Sequence, residues 1–156
     1  MRVVRVRGRL QLRLEPAEVE LLTSLLDEMD GLLDGPADPD DPVLQRLNPA
    51  AYPGDPAADA EYRTLTDDSL RAARGDRMAA CRAELAASAT VDLAEPDVAE
   101  RWIQVLNDLR LALGTRLGVT EEDDRDIDPT DPDAQPWLVY YWLTGAQDAV
   151  VHGLMR

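Results

Sequence analysis

Between Val98 and Leu117 the apolar residues fall at Val98, Trp102, Val105, Leu106, Leu109, Ala112, Leu113 and Leu117. Steps of three and four place them on one face of an α-helix, which Gly118 ends. A stripe this long has to be buried, so the rest of the chain must fold around it. The other side of the same helix carries Asn107, Arg110 and Gly114 at i, i+3 and i+7. Glycine there permits close approach of another element, and Asn107 and Arg110 can hydrogen-bond across the contact. Arg116 falls inside the stripe near the helix C-terminus, where its stem can lie along apolar surface while its head satisfies terminal carbonyls.

Residues 1–14 alternate. Val4, Val6, Gly8, Leu10, Leu12 and Leu14 fall on one side, and Arg5, Arg7, Arg9, Gln11 and Arg13 on the other, which is a strand pattern. Gly8 suits a tight turn, so the segment reads as a hairpin hinged near Gly8 and Arg9 in preference to one long strand. Glu15 and Pro16 open a helix over 16–33, with Val19, Leu22, Leu25, Leu26, Met29, Leu32 and Leu33 at helical spacing as one buried face. Residues 34–55, rich in Asp, Pro and Gly, read as a loop with at most one helical turn around Val43–Leu47. Asp55 and Pro56 start a helix over 56–65. Thr66 followed by Asp67 and Asp68 looks like a fresh N-cap, so a break is expected before a helix over 67–88 that presents Leu70, Ala73, Arg77, Met78, Cys81 and Leu85.

Val91–Leu93, followed by Glu95 and Pro96, repeats the strand, Glu-Pro, helix order of the N-terminus and can add a third strand at 91–93. The striped helix occupies 96–117, a loop 119–133, and a last helix 134–155. That last helix is apolar around most of its circumference, the pattern of a helix central to a bundle or seated in an oligomer interface. The expected fold is therefore mainly α: one domain over 1–156, a bundle of four or five helices with a small N-terminal β-hairpin.

Net charge is −15, yet residues 1–14 hold five arginines and no acid, and lysine is absent throughout. An acidic body repels phosphate backbones at long range, which disfavours nucleic acid as a partner. No apolar run approaches the roughly 20 residues of a membrane helix, and arginines interrupt any secretory h-region in Met1–Leu14. The single Cys81 can form no internal disulfide. A soluble protein of the reducing cytoplasm is expected.

For chemistry, Glu121–Asp133 sets Asp124, Asp126 and Asp128 at the first, third and fifth positions of a calcium-loop register. Pro129 then stands where glycine is needed and Gln135 where a glutamate should close the site, so no metal is expected. The lone His152 and Cys81 make no catalytic constellation, and there is no nucleotide-binding glycine loop, so neither catalytic residues nor a cofactor is expected. The candidates for binding a ligand or partner are Arg63, Arg71, Asn107, Arg110, Gly114 and Arg116. Arg110 either pairs internally with an acid such as Asp67 or Glu61, or faces a ligand.

Three segments carry a resemblance: EYRTLTDDSLR at Glu61–Arg71, WIQVLNDLRLALGTRLGV at Trp102–Val119, and LVYYWLTGAQDAVV at Leu138–Val151. With the opening strand and LEPAEVELL at Leu14–Leu22, they resemble an actinobacterial family described as a domain of unknown function. Its members are often encoded beside the Clp protease adaptor ClpS and near a sulfur-carrier and cysteine-synthesis cluster. The resemblance implies no catalytic residues. Some members carry a transcriptional-regulator label, which the absence of a basic recognition helix in this sequence does not favour.

The function expected from the sequence is a non-enzymatic regulatory or adaptor-like role through protein contacts. The alternatives are a small-anion-binding protein or enzyme that uses the Arg/Asn cluster, and a transcriptional regulator. A homodimer through Leu138–Leu154 is a further expectation, from the breadth of that apolar surface.

Overall fold

The structure is a computed structural model that describes residues 1–35, 38, 40–120, 127–128 and 130–155. Three strands, β1 (Arg2–Val6), β2 (Arg9–Arg13) and β3 (Thr90–Asp92), form an antiparallel sheet in the order β1-β2-β3. Five helices accompany it: α1 (Pro16–Asp34), α2 (Pro42–Leu47), α3 (Pro56–Ala87), α4 (Pro96–Leu117) and α5 (Gln135–Leu154), the last preceded by a 3-10 turn at Pro132–Ala134. The mainly helical class, the N-terminal hairpin and the third strand are as expected from the sequence.

The hairpin turns one residue earlier than the alternation suggests. Arg7 and Gly8 both have positive φ, 50° and 83°, the backbone of the two-residue turn that matches strand twist. Such a turn pairs odd positions of β1 with even positions of β2, so Val3 lies opposite Leu12 and Arg5 opposite Leu10. Directly paired residues share a face, and Leu10 and Leu12 are buried, so Val3 and Arg5 lie on the core side. Val4 and Val6 lie on the outer side with Arg2, Arg9 and Arg13. The expected single arginine face is thus corrected: an unbroken alternation cannot survive a turn that inverts it. Arg5 reaches over the sheet edge to donate to the Gly153 carbonyl of α5 at 3.1 Å.

α4 is the central element, packing on α5, α2, α3 and α1. Its buried residues include Trp102, Val105, Leu106, Leu109 and Ala112, all in the expected stripe. Of the two places expected for the last helix, the centre of the bundle is held by α4, and a seat in an oligomer interface stays an expectation. α5 buries Leu143, Ala146 and Val150 on one side, while its outward strip runs Leu138, Tyr141, Gly145, Asp148 and His152, apolar only at its N-terminal end.

The expected break at Thr66 is absent: α3 runs unbroken from Pro56 to Ala87. An N-cap threonine turns its hydroxyl forward to free N–H groups, whereas Thr66 donates backward to the Tyr62 carbonyl at 2.8 Å, and Ser69 to Thr66 at 2.8 Å. With those hydroxyls absorbed by helical carbonyls, nothing stops the helix. Its buried face also differs from the expected one. Arg74, Met78, Cys81 and Leu85 are buried, whereas Leu70 and Ala73 are exposed. α2 turns the middle of the expected 34–55 loop into a packed element, with Val43 and Leu47 buried and Asp41 capping it by accepting from the Val43 and Leu44 N–H groups.

Candidate functional site

The six candidate residues do not converge. Arg63 donates to Asp59 at 2.9 Å and to the Asn48 carbonyl at 3.0 Å, tying α3 to the segment after α2. Asp59 also accepts from the Ala51 and Tyr52 N–H groups. The Arg63 guanidinium first, and the Tyr52 N–H next, hold the Asp59 carboxyl below its usual range. Arg71 donates to the Leu33 and Gly35 carbonyls at 2.6 and 3.0 Å, closing the C-terminal end of α1. Arg116 pairs with Glu28 across α1 and α4 at 3.2 Å. Arg63 and Arg71 share one groove beside α2, whereas Arg116 stands apart between α1 and α4.

Asn107, Arg110 and Gly114 do stand together. Asn107 Oδ1 accepts from Arg110 Nη2 at 3.2 Å and from Gln147 of α5 at 3.5 Å, so the side chain that orients the Arg110 head is itself tied to α5. A Cβ on Gly114 would lie 2.9 Å from Tyr140 Cε2, which explains the glycine: it lets the Tyr140 ring rest on the α4 backbone. Asp67, one of the acids expected to pair with Arg110, instead lines a groove with Arg63 and Arg71, and Arg110 makes no ion pair among the described residues. Its Nε is buried and also finds no acceptor among them. Arg110, Gly114 and Tyr140 line a cleft of about 490 Å³, to which α2 contributes Arg46.

Sequence reasoning missed Arg46 and, more consequentially, the buried pair beneath it. Arg74 donates through Nε to Asp108 Oδ2 at 2.9 Å, through Nη2 to the Leu47 carbonyl at 3.1 Å and through Nη1 to Asn48 Oδ1 at 3.2 Å. One guanidinium thereby fixes α2 and α4 to α3. The available signal was spacing: Arg74 lies four residues before Met78 on the Met78, Cys81, Leu85 stripe, and an arginine on a core stripe needs a buried partner.

A family described as "Domain of unknown function (DUF2017)" matches residues 1–154. The chain belongs to that family. Two mycobacterial relatives of this DUF2017 chain, from Mycobacterium tuberculosis (strain ATCC 25618 / H37Rv) and Mycobacterium bovis (strain ATCC BAA-935 / AF2122/97), are each named "Oxidative stress regulator AosR". Each is 31% identical over 178 residues, covering 91% of this chain and 80% of the relative. No solved structure matches the chain.

This DUF2017 chain has a single thiol, that of Cys81. Cys81 has no exposed surface, and burial first, then the nearby Glu84 carboxylate, push its thiol up to about 12. A thiol that stays protonated is a poor nucleophile and a poor peroxide target. In a dithiobis-nitrobenzoate assay at pH 8, the native chain is expected to leave Cys81 unmodified, with one thiol appearing on denaturation. Full labelling of the folded chain would contradict the burial.

His152 is exposed, with Nδ1 2.8 Å from the Asp148 carbonyl in its own helix. Among the described residues no group of three His, Cys, Asp or Glu side chains stands ready for a metal ion. The calcium-like register falls partly outside the described residues, at Asp124, Asp126 and Pro129. No described helix is long and apolar enough to cross a membrane.

Proposed function

We propose that this DUF2017 chain is a regulatory protein that acts by binding other proteins, in the response to oxidative stress that its relatives' name designates. The observation that carries the reading is the similarity to those regulators over 91% of the chain. Contact with protein, in preference to nucleic acid, is favoured by how the arginines are used. Of the basic N-terminal group, Arg9 pairs with Asp92 at 2.6 Å, Arg2 with Glu15 at 3.3 Å, and Arg5 is bonded to backbone carbonyls. Arg7 and Arg13 have no ion pair among the described residues, but the chain as a whole carries a net charge of −15, which phosphate backbones avoid. With Cys81 buried, the redox event is assigned to a partner in preference to this thiol.

The test is affinity capture of the full chain from its own cells, with and without peroxide, at physiological salt. A specific protein recovered in near-equal amount is expected, with a yield that changes on peroxide treatment. Recovery of the chain by itself counts against the reading, and DNA binding that falls steeply with salt favours direct transcriptional control instead. A second copy meeting at Leu138–Leu154 is the homodimeric form of the same proposal; light scattering that finds only the 17.2 kDa chain removes it. The chromosomal position beside ClpS that the resemblance implies is consistent with an adaptor-like role and is checked by reading the surrounding genes.

A further inference from the structure

We infer that the cleft between α2, α4 and α5 is a binding site for a small organic oxyanion, a phosphate monoester or a carboxylate. Arg46 and Arg110 would hold the anionic group, and Tyr140, Leu111 and Val119 the organic body. The inference rests on a contrast among the arginines of the helices; in the hairpin, Arg5, Arg7 and Arg13 also have no ion pair among the described residues. Arg63, Arg74, Arg82, Arg101 and Arg116 each have a carboxylate partner, and Arg71 is spent on helix-end carbonyls. In a chain of net charge −15, carboxylates are abundant. Arg46 and Arg110 nevertheless line the same cleft with no ion pair among the described residues, and the hydrogen bond shown for the Arg110 head goes to neutral Asn107.

The site is shaped as well as charged. The cleft, at about 490 Å³, is within the range of small-ligand pockets. One wall is the Tyr140 ring, which Gly114 admits against the α4 backbone, and Leu111 and Val119 add apolar surface. Asn107, one turn earlier on α4, accepts from the Arg110 head and is itself bonded by Gln147 of α5, so that donor is oriented before any ligand arrives. The C-terminal end of α4 contributes opposing negative charge, but a helix end amounts to about half a charge against two full guanidinium charges. Its last turn is in part already capped, because the Val119 N–H donates to the Gly114 carbonyl at 2.9 Å. Guanidiniums present their N–H groups as forks that match the oxygens of phosphate and carboxylate.

The experiment is calorimetric titration of the full chain with phenyl phosphate and, separately, with benzoate, alongside inorganic phosphate. Phenyl phosphate or benzoate is expected to bind at millimolar or lower concentration, and more tightly than inorganic phosphate because only the aryl probes use the apolar wall. The tighter of the two aryl probes identifies the anionic group. Arg46→Gln, an exposed substitution with no partner to lose among the described residues, should weaken that probe about tenfold, the cost of one charge-assisted contact. Arg110→Gln should weaken it at least as much, and Arg116→Gln, outside the cleft, should leave it unchanged. The inference is overturned if neither aryl probe binds at millimolar concentration, or if Arg46→Gln binds as tightly as the unmodified chain. Because no protein partner enters the titration, its outcome is independent of the regulatory reading.

Discussion

Asp108→Ala is expected to lower the unfolding free energy by about 3–5 kcal/mol, the range found when one partner of a buried ion pair is removed. Asp108 and Arg74 are 7% and 8% exposed, so without the carboxylate the Arg74 charge remains inside the protein with only the Leu47 carbonyl and the Asn48 side chain as acceptors. Arg77, 3.9 Å from the same Asp108 oxygen, loses its counter-charge as well. Urea unfolding followed by circular dichroism gives the number. The double substitution Arg74→Met with Asp108→Leu separates the cost of an orphaned charge from the worth of the pair. It should recover most of the loss, because apolar residues of similar size can replace a buried pair at little net cost. A single-variant loss below about 1 kcal/mol would mean that the charge escapes to water when its partner is removed, and that the three-helix junction is looser than its geometry indicates.

Trp102→Ala is the second large effect, also expected at about 3–5 kcal/mol. Trp102 is fully buried at the N-terminal half of the central helix, so truncation opens a cavity that rigid neighbours cannot fill. Its indole N–H also donates to Glu84 Oε2 at 2.6 Å, while the other Glu84 oxygen accepts from Arg101. Trp102→Phe divides the two contributions: most of the volume stays and the donor goes, so a loss of about 1–3 kcal/mol is expected from the unpaired carboxylate oxygen. Equal losses in both variants, measured by the same urea titration, would show that the hydrogen bond matters more than the packing.

Elements defined by periodicity were legible, because burial of an apolar stripe is a one-dimensional rule: Trp102, Leu106 and Leu109 follow from spacing on their own. The hairpin shows where that rule stops. A two-residue turn at Arg7 and Gly8 inverts the parity of everything before it, so one residue of error in the turn exchanged Val3 and Arg5 with Val4 and Val6. Thr66 misled for a different reason. A hydroxyl can point toward free N–H groups ahead or helical carbonyls behind, and the local sequence does not distinguish the two. For the candidate site, Asn107, Arg110 and Gly114 were legible as one helix face, but Arg46 was not. It sits on a six-residue helix whose position depends on Arg74 reaching the Leu47 carbonyl, a contact between residues far apart in sequence.

The uninterrupted length of α3 conceals an uneven distribution of anchorage. Its buried side chains, Arg74, Met78, Cys81 and Leu85, all lie in the second half, whereas Tyr62, Leu65 and Leu70 in the first half face solvent. Arg63 and Arg71 secure that first half through polar contacts. Geometrically it is one rod; energetically it is a fixed shaft with a detachable tip. The turns before Arg71 can open without exposing the apolar interior, so their opening free energy is expected to lie below that of global unfolding, which hydrogen exchange of their amides checks. The Arg63 contact makes the strand of chain around Asn48 the first neighbour to feel such an opening, and through it the ceiling of the Arg46 cleft.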